Sequence, residues 1–378
     1  TAPASEDMGL YYKSGLIYAL MDYARENWGD GSLTAQDIID YFQAGFGFDL
    51  GANGATHHRF IPNDLGDGVR WDNRLNWNSD ALPIDGDTVD LGGNWVNFSD
   101  TVTVASLDLG TGGKLQVGSG KLTVDALETG DNGMIFVERA GQVWTDGYSG
   151  DAALSVQVTG GRFANTGDVS GPVIASVQGG QVILAADNAQ FLLAENSELR
   201  INGTAAKVGF DGATGGVATL IMQDGGQLSF VADATGLARV NEFRSGAWDQ
   251  QGSAVHSGVA LDGTLALDLS DYIGTGSMKL IEVDAISGMF DNVDIHGLGD
   301  KRDANLIIDY AADLVTLELS AGTGQGNLSV IGDASDGTDE EAGLWDALTL
   351  GLEEDGGLDP HITILDDMID PLPDMTFI

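Results

Sequence analysis

Five times along the chain a glycine, a long polar residue and an apolar residue recur in that order. They are Gly113-Lys114-Leu115, Gly141-Gln142-Val143, Gly161-Arg162-Phe163, Gly180-Gln181-Val182 and Gly226-Gln227-Leu228, at steps of 28, 20, 19 and 46 residues. A period near 20, neither a heptad nor a helical-hairpin repeat, points to stacked short strands with one coil per repeat. Glycine supplies a positive-φ corner, and the alternating apolar residues after it point into a narrow core. Clean alternation starts at Asp87 with Thr88-Val89-Asp90-Leu91 and Thr101-Val102-Thr103-Val104. Leu107-Asp108-Leu109, Leu115-Gln116-Val117 and Leu122-Thr123-Val124 continue it, and Gly-punctuated strands run to about residue 270. The pattern places Val102, Val104, Leu107, Leu109, Leu115, Val117, Leu122 and Val124 inside one continuous solenoid. Two packed antiparallel sheets joined by hairpins would contradict it.

The period changes on either side of this region. Over residues 8–50 it is helical, with Leu10, Ile17, Leu20 and Met21 on one stripe. A second helix opens at Thr34, with Asp37 in an acidic variant of the capping box, and ends at Gly45 and Gly47. Residues 51–85 are irregular and aromatic. The predicted fold is mainly β: a right-handed parallel β-solenoid over 87–320, a helical and irregular N-terminal cap at 1–86, and an acidic linker and tail at 321–378. Its handedness follows from the general preference for right-handed crossovers. A solenoid leaves strand edges open at its ends, so the terminal segments are expected to cover them.

Composition narrows the function classes. Of 378 residues 55 are Gly, twice the usual share of roughly 7%, which fits turns and short strands. There are 58 acidic and 16 basic residues, a formal net charge of −42. That disfavours nucleic acid and anionic membrane surfaces, whose phosphates need clustered Lys and Arg. It suits solubility in salt, or divalent cations. With no Cys, disulfides and Cys-ligated metals are excluded. No apolar run approaches the roughly 20 residues that span a bilayer. The chain opens Thr1-Ala2-Pro3, as expected of a piece processed from a longer polypeptide.

Trp71, Asn76-Trp77, Pro83, Gly86-Asp87-Thr88-Val89, Ser106-Leu107 and Gly120-Lys121-Leu122-Thr123-Val124 together resemble the entry coil of secreted bacterial autotransporter-like β-strand-repeat proteins. Gly263-Thr264-Leu265, Lys279-Leu280-Ile281, Ile286-Ser287-Gly288-Met289-Phe290, Asp309-Tyr310 and Val315-Thr316-Leu317 are similar to the closing region of the same group. The resemblance covers roughly 70–320 and implies an extracellular solenoid that accompanies many functions. The last residues, Asp374-Met375-Thr376-Phe377-Ile378, are similar to the C-terminal signal of type I secretion substrates, without the calcium nonapeptide that usually accompanies it.

Several groups are candidates for chemistry. Asp30-Gly31, Leu33 and Asp37 resemble the second half of an EF-hand calcium loop, although Trp28 stands where an oxygen ligand is wanted. The competing reading makes Asp37 a helix cap. Asp333, Asp336 and Asp339 are further calcium candidates in the acidic linker. His57-His58, near Asp64 and Asp67, could ligate a metal or act as acid and base, but successive residues of an extended segment point apart. Trp71, Trp77, Trp95, Trp144 and Trp248 offer flat faces for sugar rings, or else plug the solenoid ends and loops. A polysaccharide lyase would need Arg, Lys or calcium beside a base, and the densest cations are Arg239 with Arg244 and Lys301-Arg302. No Gly-x-Ser-x-Gly elbow is present. The sequence therefore points to a non-catalytic extracellular structural, adhesive or carbohydrate-facing module of a larger secreted protein, with a polysaccharide or cell-surface glycan as partner. The alternatives are an enzyme acting on extracellular polysaccharide, or the appendage of an upstream sulfatase- or phosphatase-type catalytic domain.

Overall fold

The computed structural model describes residues 56–333, apart from 63–65, 187, 212–216, 245–246, 249–255, 300–301 and 323–327. The helices expected over 8–50, the calcium candidates Asp30, Asp37, Asp336 and Asp339, and the tail from 334 lie outside the described residues. The chain divides into one unit ending at His57 and a second from His58 onward, and the second is described here. Its one helical element among the described residues is the 3-10 turn Arg74–Asn76.

Period-2 alternation produces strands that pair in parallel from coil to coil. A nine-stranded sheet runs Trp95–Phe98, Lys114–Val117, Met134–Val137, Leu154–Val158, Val173–Val177, Glu198–Asn202, Gln227–Val231, Thr264–Asp268 and Asn292–His296. Between these strands the chain visits a 14-stranded sheet, through Thr101–Asp108, Lys121–Glu128, Gln142–Thr145, Arg162–Asn165, Gln181–Ala186, Lys207–Asp211 and Val240–Arg244. We call the 14-stranded sheet the first and the nine-stranded sheet the second. From Gln190 a third, four-stranded sheet joins them: Gln190–Leu193, Val217–Met222, His256–Leu261 and Ala285–Gly288. These mostly parallel sheets, in a chain almost without helix, are compatible with a β-solenoid.

Register explains the core. Val96, Leu115, Ile135, Val156, Ala175, Leu199, Leu228, Leu265 and Val293 stand one per strand in a single inward column, all buried. Val102, Leu122, Val143, Phe163, Val182, Val208 and Val240 form the facing column. Burying such a side chain contributes about 1.5–3 kcal/mol, so a coil is held by its neighbours rather than by itself. All eight aliphatic residues expected inside are buried.

The glycine triads divide between the two sheets. Gln142, Arg162 and Gln181 are partners on the first sheet, so the steps of 20 and 19 are single coils. Lys114 and Gln227 lie on the second sheet. Gly161 and Gly180 take φ of +70° and +76°. At Gly113 close approach is the reason for glycine, since a Cβ would lie 1.8 Å from the Leu109 carbonyl oxygen.

Both ends are covered. At the N-terminal end Trp71 meets Trp77 and Phe98 edge-on, with centroids 5.0 and 5.1 Å apart, and Trp77 meets Phe60 at 5.2 Å. The Trp77 indole donates to the Trp71 carbonyl at 2.8 Å. At the other end the parallel winding expected to residue 320 stops at His296. Arg302–Asp309 and Leu314–Ala321 pair antiparallel, and the latter strand pairs antiparallel with Gly276–Glu282. The reversal is closed by the Asp309 carboxylate, which accepts the N–H groups of Ala311 and Ala312 at 3.0 and 2.9 Å.

Candidate functional site

The outer face of the second sheet collects the exposed chemistry. Inward positions are apolar, so alternate residues must face out. One outward column reads Trp95, Lys114, Met134, Ser155, Ile174, Glu198, Gln227, Thr264 and Asn292. Its neighbour reads Asn97, Gln116, Phe136, Gln157, Ser176, Arg200, Ser229, Ala266 and Asp294. Nine strands make a face roughly 38 Å long at about 4.8 Å per strand.

Its two ends differ. At the N-terminal end Trp95, 53% exposed, is stacked on Phe136 with centroids 6.5 Å apart and planes at 16°. The Lys114 ammonium sits 5.5 Å from the Trp95 ring centre. Gln116 donates to Glu138 at 3.0 Å beside this platform. Near-parallel aromatic rings, with an ammonium over one of them and amides beside them, suit the C–H faces and hydroxyls of a sugar.

At the C-terminal end small Ser229 and Ala266 floor a hollow of about 460 Å³, bordered by Arg200, Gln227, Asp268, Asp294 and His296. Ser229 is bonded within the wall, donating to Glu198 at 2.9 Å and accepting from Gln227 at 2.8 Å. Asp268 and His296 are register partners on adjacent strands. Partial burial pushes the Asp268 carboxyl up, but the Ser270 hydroxyl and N–H, His296 and Arg200 outweigh it and hold it below the ordinary carboxylate range. An ionised Asp268 can orient His296 or accept a hydroxyl, and Arg200 can receive an anion.

The residues expected to bind from sequence fall in different environments. Trp71 and Trp77 are fully buried, so the carbohydrate-facing reading of these two is corrected: their bulk packs into the core beside Phe60 and Phe98. Among the candidates whose side chains are described, Trp95 is the exposed one. Trp144 is half-buried between the Lys121 ammonium, 4.8 Å from its ring centre, and the Arg162 guanidinium at 5.8 Å. Trp248 lies on the strand Ala247–Trp248, and its side chain is outside the described residues, as are those of Arg244 and Asp333. His57 is exposed while His58 is 2% exposed, so the pair does not converge. His58 is clasped by Asp87 at 3.0 Å and Ser79 at 2.8 Å. Among the described residues no three His, Asp or Glu side chains form a group able to hold a metal. Arg239 pairs with Glu282 at 3.2 Å, and Arg302 donates to the carbonyls of Leu298, Gly297 and Tyr272, a structural clasp.

Sequence reasoning missed Phe136, Arg200, Asp268 and His296 as site residues. They are a coil or more apart, and only the strand register brings each pair together. Comparison with known protein families, curated proteins and solved structures finds no match to this chain. Among the described residues no helix is long and apolar enough to cross a membrane.

Proposed function

We propose that this chain is a non-catalytic, carbohydrate-facing β-solenoid module, wound right-handed, of a larger extracellular bacterial protein of the autotransporter-like β-strand-repeat group. One observation carries the reading: exposed Trp95 stacked with half-buried Phe136, with Lys114 over the Trp95 ring, on the outer face of the second sheet. The partner is a polysaccharide or cell-surface glycan lying across the strands. An upstream catalytic domain of the same polypeptide and export by the type I route complete the proposal, both resting on sequence features. Calcium belongs to it through Asp30 and Asp37, and a melting temperature higher in calcium than in chelator tests that part.

The binding test is retardation in gels containing neutral polysaccharides. The intact chain should be retarded by at least one glycan, and Trp95→Ala with Phe136→Ala should lower the affinity about tenfold, equivalent to 1.4 kcal/mol. Retardation equal in the double variant would refute the platform's role.

A second reading, an enzyme on extracellular polysaccharide, is favoured by the hollow, where Arg200 and His296 flank an ionised Asp268. Ultraviolet absorbance of unsaturated uronates, followed with alginate and pectate, separates the two. The binding-module reading expects no product. Turnover abolished by His296→Ala or Arg200→Gln would reverse the order of the two readings.

A further inference from the structure

The first sheet holds a second pattern, separate from the aromatic platform. In-register partners at the start of successive strands are Thr101, Lys121, Gln142, Arg162, Gln181 and Lys207. Cations thus alternate with neutral amides, one every second coil, in a chain where acids outnumber bases by 58 to 16. At about 4.8 Å per strand, successive cations stand roughly 9.5 Å apart. No acid occupies the column.

Three features prepare this column for a long ligand. The corner beside it is bare, because Lys121, Gln142, Arg162 and Gln181 each follow a glycine. A Cβ at Gly120, Gly141 or Gly161 would lie 1.8, 2.2 or 2.2 Å from a backbone oxygen of the preceding coil, so no side chain can stand there. On the other flank Trp144 holds the Lys121 and Arg162 charges at its ring, and Arg162 Nε donates to Gln181 Oε1 at 2.8 Å, aligning the guanidinium along the column. Third, Asp125 and Asp146 each follow a column residue by four positions, at the far end of the strand, and Asp100, at the corner, accepts the Thr101 N–H at 2.7 Å. Four residues of strand span about 13 Å, beyond the Debye length of about 8 Å at 0.15 M salt. Glu138, near the same corner, is bonded to Gln116 on the second sheet.

We infer that the Lys121–Gln142–Arg162–Gln181–Lys207 column binds a linear acidic polysaccharide running across the strands, with anionic groups on the cations and hydroxyls on the amides between. The spacing suits a chain whose charge recurs on alternate sugars. No exposed ring in the column offers a stacking face for bases, which favours a saccharide over a single-stranded nucleic acid. The inference does not depend on the second-sheet platform.

Hyaluronan oligosaccharides, which carry one carboxylate per disaccharide, are the probe, with neutral dextran oligosaccharides and single-stranded DNA as comparisons. Titration of the intact chain should show binding to hyaluronan and none to dextran at this column. Lys121→Gln with Arg162→Gln should weaken it at least tenfold. The charge-preserving pair Lys121→Arg with Arg162→Lys should stay within about threefold, while Arg74→Gln, at an exposed cation outside the column, leaves it unchanged. Salt gives a further signature. The net charge of −42 repels the ligand until the Debye length falls from about 30 Å at 0.01 M to about 8 Å at 0.15 M. Affinity should therefore rise over that range and fall again near 1 M. No binding by the intact chain, binding unaltered in the Gln pair, loss in the charge-preserving pair as large as in the Gln pair, or tighter binding of DNA would each overturn the inference.

Discussion

Glycine at a coil corner serves two separable ends, and single residues tell them apart. Gly161 takes φ +70° and a Cβ there would sit 2.2 Å from the Gly141 carbonyl oxygen, whereas Gly112, also at +70°, has nothing within 4 Å. Alanine at Gly112 should cost about 1 kcal/mol, the strain of a left-handed residue. Alanine at Gly161 must also push two coils apart and should cost about 3 kcal/mol or more. Denaturant melts of the two variants check the difference, and equal losses would mean that the close approach is absent. Charge acts at this scale as well. Asp291 shares a hydrogen bond with the Asp262 carboxyl, and this, with burial and the charges of Asp262 and Asp224, raises its pKa above the ordinary value. An acid whose pKa is raised by folding costs stability above that pKa, and the cost vanishes as pH falls below the unfolded value. Asp262→Asn should therefore stabilise the chain at pH 7, by about 0.3–0.5 kcal/mol for so exposed a pair. The gain should be lost on acidification, and a pH series of melting temperatures would show it.

Among the elements, alternation was readable because period 2 assigns each side chain to a face. Partners were not, since parallel and antiparallel strands share that period. Val102, Leu115 and Val124 were placed inside correctly, while 302–321 read like more solenoid and is an antiparallel pair. Along the inward column of the second sheet the steps are 19, 20, 21, 19, 24, 29, 37 and 28 residues. The later coils lengthen where the third sheet enters. That drift hid the meeting of Arg200, Asp268 and His296, which no fixed period predicts. Trp71 and Trp77 were legible as aromatic bulk near an end; their complete burial required knowing what Phe60 and Phe98 do. The closing hairpin is tested at Leu317, buried opposite Leu306 and Met278. Leu317→Ala should cost about 2–5 kcal/mol. Hydrogen exchange should quicken first in 276–321, and uniform acceleration along the whole chain would show that this end does not open separately.

For the whole molecule, a net charge of −42 makes cations scarce. Two groups of apolar and cationic side chains lie on ordered sheet faces: Trp95 with Phe136 on one, the Lys121–Lys207 column on another. A rigid sheet holds such groups at fixed spacing, so a repeating polymer can meet several at once with little ordering cost in the protein. Hydroxyl-radical footprinting of the intact chain, with and without a neutral polysaccharide that retards it, tests the central claim most directly. The sugar-facing account predicts protection of Trp95, Met134 and Phe136, and none at the exposed Ile84 and Ile273. Unchanged oxidation of Trp95 and Phe136 in a saturated complex would contradict it.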